Sequence, residues 1–315
     1  MDEAPKRYRS VIWDSARWEG FEFRDDDIVI STPPKSGTTW MQMICALLVF
    51  QDPHLPAPLT ELSPWVDMQT DTVEHVFAAL AGQTHRRFIK SHTPFDGLPH
   101  DERVTYICVG RDPRDVGLSW DNHTENMNVD AIIGARAAAV GLDDIAELMP
   151  DGPPPRSDDP VERFWTWIDN DTPVEQELSS LRGTLHHLDT FWEHREDANV
   201  VMFHYADLQA DLDGEMRRLA AALGITVDEG IWPTLVAAAT FANMKGRADE
   251  LAPQVKVDGF WKDNSRFFNR GSTGQWQSIM DADGLAHYAE RMQALAPPDL
   301  AAWAQSGWQG PPEPR

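Results

Sequence analysis

A short apolar run, Asp27–Thr32, passes directly into Pro33-Pro34-Lys35-Ser36-Gly37-Thr38-Thr39 and then into a second apolar stretch, Trp40–Phe50. A strand that gives way to a helix over so few residues needs a tight turn, and Gly37 supplies backbone free to adopt positive φ. Such a strand–turn–helix leaves the first helical N–H groups without intrahelical partners. The positive end of the helix dipole faces the space above the turn. Lys35 adds a mobile positive charge, and Ser36, Thr38 and Thr39 add hydroxyls. The segment reads as an anion site. It is not a Walker A loop, which ends in Gly-Lys-Ser/Thr, because here Lys35 precedes Gly37. The alternative is an ordinary connection between a strand and a helix, and ten residues of this content argue against it.

One βα unit cannot bury its own faces, so the rest of the chain must supply partners. Further Val- and Ile-rich runs read as buried strands at Arg87–Ser91, Val104–Val109 and Asn199–Phe203. Helical patterns alternate with them at Val73–Ala81, Arg114–His123, Leu181–Glu193 and Leu208–Leu223. Asp112 and Pro113 form a start signal for the second of these, and Gly224 a stop signal for the last. Strands alternating with helices predict an α/β fold with a parallel sheet covered on both faces. At 315 residues the chain can hold one large domain or two small ones, and no linker divides it, so a single domain over 1–315 is expected. Residues 131–168, interrupted by the Pro-rich loop Met149–Pro160, read as a helical insert over the sheet. Residues 249–274 lack regular pattern, and the tail 309–315 reads as disordered.

Charge narrows the function. Fifty-one acidic residues against 27 basic ones give a net charge of −24. That balance disfavours nucleic acid and anionic membrane as partners, and any locally basic cluster stands out against it. The two cysteines, Cys45 and Cys108, lie inside apolar runs and read as core thiols, with no disulfide framework and no zinc spacing. The N-terminus has no apolar leader, and the longest apolar run is about half of the ~20 residues a membrane span requires. A cytoplasmic protein is expected. The excess of Arg over Lys hints at a GC-rich bacterial genome.

Three more segments carry chemistry. Lys90-Ser91-His92-Thr93-Pro94 ends the second strand, which places His92 for general-base work near neutral pH; its alternative is a surface histidine. Arg111 ends the third strand, and Ser119 lies two turns into the following helix, so both can reach one phosphate beside the first loop. Asn269-Arg270-Gly271-Ser272-Thr273-Gly274-Gln275-Trp276 places a cation and two glycines where backbone N–H groups can wrap an anion.

Taken in order, these segments resemble the cytosolic-type sulfotransferases that use 3′-phosphoadenosine 5′-phosphosulfate (PAPS), here as a bacterial member. The resemblance runs from Trp18 to about Met292. It implies a P-loop-like α/β domain and a 5′-phosphosulfate loop of Lys35, Ser36, Gly37, Thr38, Thr39 and Trp40. Arg111, Ser119, Asn269, Arg270 and Gly271 would hold the 3′-phosphate. Tyr205 (in FHYADL) and Thr240, Phe241 and Met244 (in ATFANMK) would contact the adenine side. His92 would be the catalytic base. Lys35 would stabilise the leaving oxygen, and Lys90 would bind the transferring sulfuryl group. No metal is required.

The chain departs from the family pattern in four places, one of them the insert at 131–168, expected as a cap over the acceptor pocket. Pro33 stands where Tyr is common, and Asn269 replaces one of two cations. No dimer motif is visible after Trp276, so the oligomeric state is left open. The implied reaction is sulfuryl transfer to a hydroxyl of a phenol, alcohol, lipid or glycan. A kinase on the same scaffold would need a Lys after the loop glycine and a Mg²⁺-binding Asp. A non-catalytic nucleotide-binding module would be expected to have lost His92 or Lys35. Trp18, Phe21, Phe23, Trp65, Phe95 and Trp120 are candidates for an apolar acceptor pocket, or for core.

Overall fold

The computed structural model describes residues 4–150, 152, 155–252, 259–268, 271 and 273–308. Four strands form where the apolar runs predict them: β1 Ile28–Ser31, β2 Phe88–Ser91, β3 Thr105–Gly110 and β4 Val200–His204. Every pairing is parallel and the order is β2-β1-β3-β4. Alternate residues serve opposite faces. Ile28, Ile30, Ile107, Val109 and Phe203 enter one core. Val29, Ile89, Tyr106, Cys108 and Met202 enter the other. A sheet buried on both faces explains the nearly continuous apolar runs.

Helices α1 Thr38–Phe50, α2 Leu59–Leu62, α3 Val73–Gly82, α4 Pro113–Asn126, α5 Val129–Val140, α6 Ile145–Leu148, α7 Pro160–Ile168 and α8 Leu181–Trp192 precede β4. Seven more follow it: α9 Tyr205–Ala210, α10 Leu212–Ala222, α11 Trp232–Ala239, α12 Phe241–Gly246, α13 Ala248–Leu251, α14 Ala282–Leu295 and α15 Pro298–Ser306. The single helix expected over Leu208–Leu223 is two. Asp211 breaks it by accepting a hydrogen bond from the Gly214 N–H, which caps α10. The sequence reading did not anticipate α11, α12, α14 or α15. The last is held by tertiary contacts: Trp303 lies where a Cβ on Gly110 would stand, 2.5 Å away, and His204 Nε2 meets the Ala304 carbonyl at 3.1 Å.

The segment expected as a cap divides in two. Ile132 of α5 packs on Met68, Met127 and Trp261, and the buried Arg136 reaches the Val11 carbonyl and Asp144. By contrast, α7 belongs to the main core, with Trp167 packed on Gly117 of α4. The tail at 309–315 lies outside the described residues. Among the described residues no helix is long and apolar enough to cross a membrane. In a parallel sheet all strands deliver their C-terminal ends to one edge. The register, with Ser31 beside Ser91 and Gly110 beside His204, therefore brings the sequence motifs together there.

Candidate active site

The loop after β1 is fixed by its own backbone and by its neighbours. Lys35 adopts φ 69° and Gly37 φ 114°. A Cβ at Gly37 would lie 3.1 Å from the Tyr205 ring, so glycine answers both the conformation and the close approach. Thr32 and Thr38 hydroxyls bond at 2.5 Å, and Arg111 Nη1 donates to the Lys35 carbonyl at 3.1 Å. Gly37 is the N-cap of α1 and makes no side-chain cap bond. The N–H groups of Thr38, Thr39 and Trp40 therefore begin the helix without intrahelical partners. Ser36 Oγ is buried without a hydrogen-bond partner.

Around this turn the structure gathers most of the residues read from the sequence. Lys35, Gly37, Thr38, Thr39 and Trp40 line one pocket with Lys90, His92, Arg111 and Ser119. Tyr205, Phe241, Met244 and Gly271 line the same pocket. Arg111 stacks over the Tyr205 ring at 4.5 Å, and Trp40 meets that ring edge-on at 5.1 Å. Trp40 Nε1 donates to the Ala239 carbonyl at 2.8 Å, which ties the 240–244 turn to α1. Ser36 and Thr240 do not line the pocket among the described residues. Ser36 is fully buried, and Thr240 caps α12 by accepting from the Asn243 N–H. Asn269 and Arg270 lie outside the described residues. Gly271 adopts φ 62°, and a Cβ there would collide with the Phe241 ring.

His92 is held from two sides. Its backbone N–H donates to Asp67 Oδ2 at 3.0 Å, and its Nδ1 lies 2.7 Å from the Thr32 carbonyl. A carbonyl accepts only, so Nδ1 carries the proton and Nε2 keeps its lone pair. Burial, then the Lys90 charge, holds the imidazole well below its usual pKa, so it is neutral at pH 7. Lys90 Nζ lies 3.9 Å over the Trp65 ring, and burial lowers its pKa to about 8. Lys35 falls to about 7, chiefly through burial and then through repulsion from Arg111 and Lys90. Three cations thus crowd a half-enclosed pocket in a chain of net charge −24. Lys35 Nζ meets the His123 and Phe267 rings and Lys90 Nζ the Trp65 ring, while the buried Asp67 carboxylate offsets part of the Lys90 shift. Like charges held this way favour an anion.

Two residues at this site escaped the sequence reading. His123 Nδ1 lies 3.1 Å from Lys35 Nζ, its ring stacked on Trp120 and tilted against Trp261. Asp115 accepts from the Gly274 and Gln275 N–H groups at 2.7 and 3.0 Å and so docks the C-terminal loop onto α4. Helical spacing supplied a faint signal for His123, which lies one turn beyond Ser119. The six aromatic candidates separate. Trp65 and Trp120 line the pocket, whereas Trp18, Phe21, Phe23 and Phe95 pack on the far core.

Comparisons with known proteins agree over nearly the whole chain. The model of the sulfotransferase domain family matches residues 25–302. A glycolipid sulfotransferase of Mycobacterium bovis is 44% identical over 311 residues, covering 96% of this chain and 95% of the relative. Sulfotransferase 1A1 of Rattus norvegicus is 26% identical over 285 residues, covering 87% of each. Among solved structures, retinol dehydratase with androsterone and the inactive cofactor PAP superposes with a TM-score of 0.65. It is 18% identical and covers 89% of this chain and 83% of that one. Mouse sulfotransferase SULT7A1 complexed with PAP gives a TM-score of 0.62 at 19% identity and 92% coverage of each. At these identities the two structures speak to the fold.

Proposed function

The chain belongs to the sulfotransferase domain family, and from that premise we propose that its pocket moves the sulfuryl group of PAPS to a hydroxyl of a glycolipid-class acceptor. The acceptor class follows the 44% identical mycobacterial relative. The observation that carries the reading is the convergence of Lys35, Lys90, Arg111 and the α1 N-terminus on a neutral imidazole with a free Nε2. The unpaired N–H groups at the start of α1, beside Lys35 and Arg111, fit a phosphosulfate. When bound, PAPS supplies an S–O bond whose cleavage leaves a stable phosphate.

The chain's own residues do the rest. Nε2 of His92 takes the proton of the acceptor hydroxyl as the new O–S bond forms. Lys35 meets the charge that builds on the leaving oxygen, and Lys90 holds the sulfuryl oxygens in line. Arg111 and Ser119 hold the 3′-phosphate under the loop that Asp115 anchors. Trp40, Tyr205, Phe241 and Met244 enclose the adenine side. This is positioning and electrostatics, as in phosphoryl transfer.

The test is incubation with ³⁵S-labelled PAPS and a panel of glycolipids and phenols, with products identified by mass spectrometry. A labelled, sulfated glycolipid is expected. Phosphorylated product from ATP, or no sulfated product with any hydroxyl acceptor, would overturn the reading.

A further inference from the structure

Beside Lys90 and Trp65, and reached also by Thr39 of the nucleotide loop, lies a second groove of about 980 Å³. It runs between α1, residues 58–64, α3 and residues 259–264, and it abuts the central pocket, with Lys90, Trp65 and Trp261 lining both. Residues 64–66 build the shared wall: the Lys90 N–H donates to the Pro64 carbonyl, and the Val66 N–H to the Lys90 carbonyl. The size matches the upper range of ligand clefts, roughly 300–1,000 Å³.

The lining has a consistent chemistry. Trp65 and Trp261 contribute indole surface to the lining. Glu61, Asp71, Thr70 and Gln83 offer oxygen atoms. Thr70 is 8% exposed, and its hydroxyl has no hydrogen-bond partner among the described residues. The Gln83 side-chain carbonyl is likewise buried and unpartnered, while its amide is spent on the Glu61 and Leu62 carbonyls. Buried oxygens without donors cost free energy until a ligand supplies them. His75 is paired with Asp71 at 2.7 Å, so Lys90 at the inner end is the cation this lining presents. A phosphate or carboxylate would meet two acidic side chains there. A neutral polyol meets acceptors for its hydroxyls and indole surface for its C–H groups.

We propose that this groove is the subsite for the neutral sugar units of the acceptor and that it presents one of their hydroxyls past Lys90 to His92. The inference rests on the glycolipid reading above.

Thr70→Val keeps the shape of the side chain and removes only the unpartnered hydroxyl, and Glu61→Gln keeps size while removing charge at an exposed position. KM and kcat are measured for the double variant with two acceptors: neutral glycolipids bearing glucose, galactose or mannose headgroups, and 4-nitrophenol. For the glycolipid, KM rises about tenfold and kcat changes less than twofold. For 4-nitrophenol both constants stay at wild type, as does the rise in Tm caused by 3′-phosphoadenosine 5′-phosphate. Glycolipid turnover with an unchanged KM overturns the subsite while leaving the proposed activity intact. Better turnover of a long-chain alcohol by the variant, with glycolipid unaffected, assigns the groove to an alkyl chain and also overturns it. If wild type sulfates 4-nitrophenol and none of the glycolipids, the glycolipid reading itself has failed and the sugar subsite falls with it.

Discussion

Replacing Lys35 with Met should abolish a proton uptake that accompanies nucleotide binding. In the pocket without an anion, the Lys35 ammonium is disfavoured by burial and by Arg111 and Lys90, and its pKa falls to about 7 from 10.5. At pH 8 the amine is then about nine-tenths neutral, and binding a phosphate beside it should restore the charge, taking up about 0.9 proton. Affinity for 3′-phosphoadenosine 5′-phosphate should fall about fiftyfold from pH 7 to pH 9, the drop in the charged fraction. Lys90 should add little, since this nucleotide has no sulfuryl group to engage it. The same shift predicts stability. A Lys with a depressed folded pKa destabilises the fold most below pH 7, and this cost fades as pH rises toward 10.5. At ~1.36 kcal/mol per pH unit the cost is roughly 5 kcal/mol below pH 7, falling to about 1 kcal/mol at pH 9.5. Part of Lys35 still faces the open pocket, so both figures are upper bounds. Lys35→Met should therefore raise the Tm of the ligand-free protein more at pH 7 than at pH 9.5. Calorimetric titration at pH 8 in two buffers of different ionisation enthalpy counts the protons. No uptake in wild type, or equal uptake in Lys35→Met, would refute the electrostatic account of this pocket.

Three further substitutions test the rest. His92→Ala should lower turnover by about 10²–10⁴-fold while leaving the nucleotide-induced Tm shift unchanged, as measured by rate assay and thermal melt; wild-type turnover with every acceptor would move the base elsewhere. Asp115→Ala unpins the Gly274 and Gln275 N–H groups. It should weaken 3′-phosphoadenosine 5′-phosphate by roughly tenfold and leave the 3′-dephospho nucleotide unaffected, a difference calorimetry resolves. His123→Phe keeps the ring between Trp120 and Trp261 but removes the partner that Lys35 must leave on binding an anion. Nucleotide affinity should rise about two- to tenfold, and weaker binding would mean that His123 holds Lys35 in its working position.

What near neighbours decide was legible in the chain. The four strands, the turn at Lys35–Thr39 and the capped start of α4 at Asp112-Pro113 each depend on a few consecutive residues. Parallel pairing then forces the strand ends to one edge, which is why His92, Arg111 and Tyr205 meet the first loop as the sequence order implied. What distant segments decide was not legible. Trp65 and Phe95 are similar apolar rings, one well before β2 and one just after it, yet one lines the pocket and the other is core. The choice depends on which elements cover each face, and no local pattern encodes that. His123 looked like one more residue late in α4. It became Lys35's partner only when the β1 loop and α4 were folded against each other, 88 residues apart in sequence and 3.1 Å apart in space.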